Sequence, residues 1–272
     1  MSLEEIKQLL LAHKINPNKL LGQNFMVDST FYPKLASYAE LNTSDVVLDA
    51  GAGFGFLTRF LSNKCKGLIA VEKDPQVAAV LNEKTNGLSN VSVVEGDVLK
   101  VQLPPFNKVI AIPPYYLSSN LVIWILEHKL DCAVMILQKE FACRLLAPTG
   151  SEEYSWLTVF TQLHANVTLL DTVAKDKFYP PPEVDSKIIR IKPWDTNPFF
   201  VKDDASFLKL LKWLFTQRNK KIAKAIVPFI KSNYKLSRQE AERIALNLPF
   251  HDKRAREIMP KDFGAISNVL PN

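Results

Sequence analysis

Three carboxylates stand at or near the ends of apolar runs. Asp49 lies inside Val46-Val47-Leu48-Asp49-Ala50, Glu72 closes Leu68-Ile69-Ala70-Val71-Glu72, and Asp97 follows Val91-Ser92-Val93-Val94-Glu95-Gly96. A carboxylate at a strand tip accepts hydrogen bonds from sugar hydroxyls or from an amino group. Directly after the first run comes Gly51-Ala52-Gly53-Phe54-Gly55, with three of the chain's nine glycines. Glycine suits a backbone that must turn tightly or let a ligand come close. A strand, this turn and a helix opening near Phe56-Leu57-Thr58 make a nucleotide-type site at the strand's carboxyl end. Alone, the loop is open to three readings: a dinucleotide fingerprint, a methyl-donor loop or a tight turn without ligand.

The neighbouring acids narrow the choice. Glu72, about 20 residues beyond the loop, suits a ribose. A hydride-transfer enzyme has no need of Asp97, whereas the amino group of an adenine can donate to it. A fourth run, Lys108-Val109-Ile110-Ala111-Ile112, leads into Pro113-Pro114-Tyr115-Tyr116. There the Pro113 carbonyl offers an acceptor whose direction a proline pair stiffens, and Tyr115 offers a stacking surface. Methylation of an adenine amine calls for such parts, because the nitrogen lone pair is delocalised into the ring. The base must leave its stack, the amine must find acceptors, and the nitrogen must be aimed at the methyl group, so positioning and local electrostatics carry the work.

The elements that would position these groups follow a βαβ rhythm. Strands near 46–50, 68–72, 91–94 and 108–112 alternate with helical stretches, which predicts a parallel sheet with helices on both faces. A helix covers Ser29–Ala39 and another Asn120–Glu127; then come the strand Cys132–Leu137, a helix around Lys139–Leu146 and one from near Tyr154. Val167–Val173 and Ile188–Lys192 form an antiparallel end to the sheet, with the proline-rich 178–182 between them. Pro193–Pro198 is the linker candidate. We therefore expect a domain over 1–193 and a helical, basic domain over 199–272.

With 272 residues, 47% hydrophobic and 23% charged, the composition is that of an ordinary globular protein. No apolar run is long enough to span a bilayer, and the start has no signal-peptide anatomy, so a cytoplasmic monomer without a membrane partner is expected. Cys65, Cys132 and Cys143 lack paired spacing, and His13, His128, His164 and His251 lack ligand spacing; neither a disulfide frame nor a metal is expected. The net charge is +6, with 14 Lys/Arg against 7 Asp/Glu in 203–272 and 20 against 21 in the rest. A basic tail on a near-neutral body fits a grip on phosphates.

Across nearly the whole chain these motifs resemble those of the ribosomal RNA adenine N6-dimethyltransferases, most closely their archaeal and eukaryotic branch. The likeness is carried by Asn18–Phe25, Val47–Thr58, Val71–Asp74, Glu95–Asp97, Pro114–Ser119, Gln138–Ala142, Phe178–Ser186 and Phe215–Lys221. It implies a Rossmann-like α/β domain with a mostly parallel seven-stranded sheet and a small C-terminal helical domain. It also implies S-adenosylmethionine as cofactor and two adjacent adenosines of small-subunit rRNA as target, methylated within a late, pre-30S-like particle. By this resemblance Gln23, Asn24 and Phe25 lie near the methionine part of the cofactor. The Gly51 and Gly53 loop wraps it, Glu72 takes the ribose hydroxyls and Asp97 the adenine amine; Asp49, Lys73, Val98 and Ile112 belong to the same cofactor site, Ile112 at the catalytic turn as well. Pro113, Tyr115 and Phe178 hold the target base, and Arg218, Lys220 and Lys221 grip RNA.

Two positions depart from the family. Asp49 stands where Glu is usual, which shortens the carboxylate's reach. Ile112 replaces an asparagine whose side-chain oxygen accepts from the target amine, and isoleucine cannot accept a hydrogen bond. Three other functions compete: a resistance methylase of large-subunit rRNA, a non-catalytic assembly factor or transcription-factor-like protein, and a small-molecule methyltransferase. The match through the C-terminal region counts against the first and the basic tail against the third. Ile112 is the support for the second.

Overall fold

A computed structural model describes residues 2–18 and 22–271; Lys19, Leu20 and Leu21 of the first motif lie outside the described residues. Contacts divide the chain into two compact units, 1–142 with 167–193, and 143–166 with 194–272. The second unit thus takes in residues 143–166, which the sequence reading assigned to the first. The reason is local: α7 (Trp156–His164) buries Leu157, Phe160 and Leu163, and Tyr154 donates its hydroxyl to the Ile258 carbonyl at 2.8 Å.

The first unit is built on a seven-stranded sheet. Its strands are β2 (Val46–Ala50), β3 (Gly67–Glu72), β4 (Val91–Glu95), β5 (Lys108–Ala111), β6 (Cys132–Gln138), β7 (Ala165–Val173) and β9 (Ser186–Pro193), in the order β4-β3-β2-β5-β6-β9-β7. Pairing is parallel from β4 through β6 and antiparallel between β6 and β9. Helices cover central strands, so β2, β3, β5 and β6 are apolar and buried almost throughout. That is the pattern of a sheet enclosed on both faces. Edge strand β4 is half-exposed.

Two short strands escape any sequence period. β1 (Phe25–Met26) and β8 (Phe178–Tyr179) pair antiparallel, with Phe25 opposite Tyr179 and Met26 opposite Phe178. Helix α1 (Leu3–Ala12) starts on a Ser2 cap, and α4 (Pro75–Thr85) on Asp74, which accepts from the Gln76 and Val77 amides ahead of a first-turn proline. α2 spans Phe31–Tyr38, α3 Phe56–Ser62, α5 Ser118–Leu126 and α6 Lys139–Arg144.

The second unit is helical: besides α7 it holds α8 (Asp204–Thr216), α9 (Ile222–Ala225), α10 (Val227–Tyr234), α11 (Arg238–Leu246) and α12 (Pro260–Asn268). Phe207, Leu210, Leu211, Leu214, Ile230, Phe263 and Ile266 form its dry core. No helix among the described residues is long and apolar enough to cross a membrane.

Candidate active site

The strand order reverses around β2 and β5, and in open α/β sheets a crevice opens at the carboxyl ends of the strands at that point. A cleft with ≈ 560 Å³ of empty space lies there, lined by residues from Gly22–Phe25, Gly51, Gly53, Glu72, Lys73, Ile112–Tyr116 and Phe178. The glycine loop is pinned to the neighbouring strand: the Gly51 and Ala52 amides both donate to the Val71 carbonyl, at 2.8 and 3.0 Å. Gly51 has φ +78°, and a Cβ there would stand 2.7 Å from Pro114 Cδ. Only glycine lets this loop and the proline turn close on the cleft together.

Glu72 is 9% exposed and is oriented from two sides, its Oε2 accepting from the Gly53 amide and its Oε1 from the Asp74 amide, each at 2.9 Å. Burial raises its pKa, and the amide bonds offset part of that rise. Asp97 accepts from the Leu99 amide at 3.1 Å and pairs with the Lys73 ammonium at 3.2 Å. Burial works against its charge, but these donors win and its carboxyl titrates below the usual range. Gln23 is clamped between the Asp74 carboxylate, to which it donates at 2.8 Å, and the Asn18 amide, from which it accepts at 2.8 Å. Asn24 donates to the Gly22 carbonyl, and Phe25 stacks on Phe54 with centroids 4.4 Å apart.

The other end of the cleft is aromatic. The Tyr115 hydroxyl lies 2.7 Å from the hydroxyl of Ser186, a residue with no exposure at the head of β9. Burial raises the Tyr115 pKa, with the Ser186 bond working against it, so the phenol is neutral. Phe178, 3% exposed, arrives through the β1–β8 pair. The carbonyls of the turn are used unequally. Pro114 accepts from the Leu117 amide at 3.0 Å and Tyr115 from the Ser118 hydroxyl at 2.8 Å. Among the described residues no hydrogen bond reaches the Pro113 carbonyl.

Asp49 faces a second lobe, which it shares with Tyr32, Phe25, Phe56 and Ile112. It has no exposure; Oδ2 accepts from the Thr58 hydroxyl at 2.8 Å, while Oδ1 is buried without a partner. Burial pushes its pKa up to about 7, the Thr58 bond opposing and the Glu72 charge assisting. Ile112 packs against the apolar core below the sheet's end and adds no polar atom to the lobe.

Of the residues singled out in the sequence, Gln23, Asn24, Phe25, Gly51, Gly53, Glu72, Lys73, Ile112, Pro113, Tyr115 and Phe178 line one cleft. Asp49 lines the adjoining lobe, and Asp97 reaches the rim through Lys73. Val98 is interior at 3% exposure and does not line the cleft. In the second unit, Lys220 and Lys221 are exposed, but the Arg218 guanidinium is occupied, donating to the Glu152 and Ser151 carbonyls at 2.7 and 2.9 Å. Sequence reading gave no role to Asp74 and Ser186, although each closes one of the quoted motifs. The Asp-Pro step of a helix start was a signal for the first, and nothing short of the fold placed Ser186 against Tyr115.

Comparison with known proteins agrees over most of the chain. Residues 14–260 match the family model described as ribosomal RNA adenine dimethylase. The chain is 36% identical over 250 residues to a probable ribosomal RNA small subunit methyltransferase A of Methanosarcina acetivorans, covering 91% of each chain. It is 33% identical over 276 residues to its namesake in Thermococcus sibiricus, covering 98% of this chain and 97% of that one. Among solved structures, a dimethyladenosine transferase from Plasmodium falciparum aligns with TM-score 0.77 at 28% identity, covering 89% of this chain and 95% of that one. The 23S rRNA methyltransferase ErmE aligns with TM-score 0.64 at 28% identity, covering 91% and 99%.

Proposed function

The chain belongs to the ribosomal RNA adenine dimethylase family, and on that premise we propose that it dimethylates the N6 amines of two adjacent adenosines in the hairpin loop near the 3′ end of small-subunit rRNA. S-adenosylmethionine is the donor. In this reading the protein acts as a cytoplasmic monomer on a nearly assembled small-subunit particle.

The residues present fit that cofactor. Glu72 keeps lone pairs for two ribose hydroxyls after its amide bonds are counted, Asp97 is held ionised as an acceptor for an adenine amine, and Gly51 leaves room beside Pro114 that a Cβ would fill. The cofactor supplies an electrophilic methyl group on a sulfonium. Everything else falls to the chain. Tyr115 and Phe178 provide aromatic surfaces for a base taken out of its stack. The Pro113 carbonyl accepts from the N6 amine, favouring a more tetrahedral nitrogen whose lone pair is free to form the new bond. No strong base is required, because the work is orientation and local electrostatics.

One observation supports this reading: of three successive carbonyls in the turn, that of Pro113 is the one that takes no hydrogen bond from the described residues, and Pro113 lines the cleft that also holds Glu72. The test is to incubate small subunits with radiolabelled cofactor and digest the rRNA for mass spectrometry. Dimethyladenosine at two adjacent sites is expected. Glu72→Ala should weaken cofactor binding by about 1–3 kcal/mol, the scale for an unpaired buried polar partner. Ile112 favours a second reading, an assembly factor without catalysis. Cofactor and subunit binding with no label in rRNA would decide for it.

A further inference from the structure

The basic excess of the last quarter is not spread evenly over the second unit. A groove with ≈ 1620 Å³ of empty space runs between α9–α10 and α11. On one wall stand Lys221, Lys224 on α9, and Pro228 and Lys231 on α10; on the other stand Arg238, Glu242 and Leu246 of α11. Arg238, Glu242 and Leu246, four apart, share one face of α11, and Pro228 and Lys231, three apart, share one face of α10, with Lys224 on the short α9 before it. Arg238 is neutralised by Glu242 at 2.8 Å. Lys221, Lys224 and Lys231 are all exposed, and none takes part in an ion pair among the described residues. Asp252 is the other acid of the lining. Val227 and Pro228 on the first wall and Leu246 on the second, the last 60% exposed, add apolar surface to the lining.

We infer that this groove is a binding site for a sugar–phosphate strand of rRNA, with the three lysines on successive phosphates and the apolar surface under a sugar or base face. The inference rests on the rRNA-modifying function proposed above and moves the phosphate grip away from the turn at Arg218. That guanidinium is spent on the Ser151 and Glu152 carbonyls within its own unit. Three unpaired ammonium groups along one concavity concentrate positive potential more than the same charges on a convex face. A strongly acidic strand answers that potential, and nucleic acid has the regular charge spacing to meet several lysines in a row. The apolar surface suits the less polar faces of nucleotides, which contact side chains with little sequence dependence.

The experiment uses the full chain and purified small-subunit particles. The double variant Lys224→Ala/Lys231→Ala is compared with Lys209→Ala/Lys261→Ala, which removes the same charge from exposed positions outside the groove. For the groove pair, KM for particles should rise at least ten-fold at unchanged kcat and unchanged cofactor affinity. The slope of log K against log salt should lose about 0.7–0.9 per lysine. The control pair should stay near wild type. Equal behaviour of the two pairs would overturn the groove, and so would a photo-cross-linker on Leu246→Cys that reaches protein but no RNA. Wild type that binds particles through the groove yet transfers no methyl groups would sink the enzymatic reading and leave the groove standing. Wild type with no affinity for the particle would remove both.

Discussion

Asp49→Asn should stabilise the protein in a strictly pH-dependent way. Asn keeps the shape of a protonated carboxyl and cannot ionise. In the folded chain Asp49 has no exposure, one oxygen bonded to Thr58 and the other without a partner, and its pKa stands at about 7 against an ordinary 3.8. Below about pH 4 the group is neutral in both folded and unfolded chains and contributes nothing. Between about 4 and 7 the unfolded chain releases this proton and the folded chain holds it. Folding then takes up a proton, so stability falls as pH rises through the window. Above 7 the whole cost is present. A rise of about 3 pH units at 1.36 kcal/mol each gives about 4 kcal/mol as the upper bound. Urea unfolding of wild type and variant at pH 4, 5, 6, 7 and 8 isolates the term together with its coupling to Glu72, because titrating groups that do not interact with Asp49 cancel in the difference. The gap should be near zero at pH 4 and grow to its plateau at pH 8. A constant gap across the series, or one that shrinks with rising pH, would refute the assignment of the cost to this buried carboxylate.

Ile112→Asn restores a polar acceptor beside the Pro113 carbonyl. It should raise methyl transfer to small subunits about 10-fold or shift product from mono- to dimethyladenosine, about 1.4 kcal/mol of transition-state stabilisation, at unchanged cofactor affinity; quantitative mass spectrometry of digested rRNA reads it, and no gain means the amine is oriented without that side chain. Ser186→Ala frees the Tyr115 hydroxyl and should lower kcat several-fold with little change in cofactor binding. Tyr115→Phe should do the same, and the two losses should not add, because both delete one 2.7 Å contact; additive losses would show that Ser186 does not act through Tyr115.

The sheet was legible because its strands are long, apolar and evenly spaced, and the acids at 72 and 97 stand at tips that only strand ends create. From the sequence, 167–173 and 188–192 read as an antiparallel end to the sheet, and they are neighbours there; that β9 also pairs antiparallel with β6 did not follow, since order within a sheet leaves no trace in periodicity. Two-residue strands have no period at all, so β1 and β8, which bring Phe25 and Phe178 to the cleft, stayed hidden. The compact unit that gathers 143–166 with the C-terminal helices was equally invisible. Its binding contact, the Tyr154 hydroxyl on Ile258, joins residues about a hundred positions apart. Arg218 shows the converse limit: its type and neighbours read as an RNA contact, and only the fold reveals carbonyls close enough to engage it.

The pairing of residues 25–26 with 178–179, and the seating of β9 beside β6, set an order of events on the ribosome that makes this chain. A nascent chain that has exposed its first hundred residues owns the glycine loop, Glu72 and Asp97. It has neither Phe178 nor the Ser186 hydroxyl that steadies Tyr115. Closing such distant pairs waits for the later segment to emerge, since translation proceeds at about 5–20 residues per second and earlier segments fold first. The cleft as a whole is therefore completed only when residues 178–186 have emerged, and in the proposed reading an unfinished chain has no finished surface for the nucleotide it would later modify.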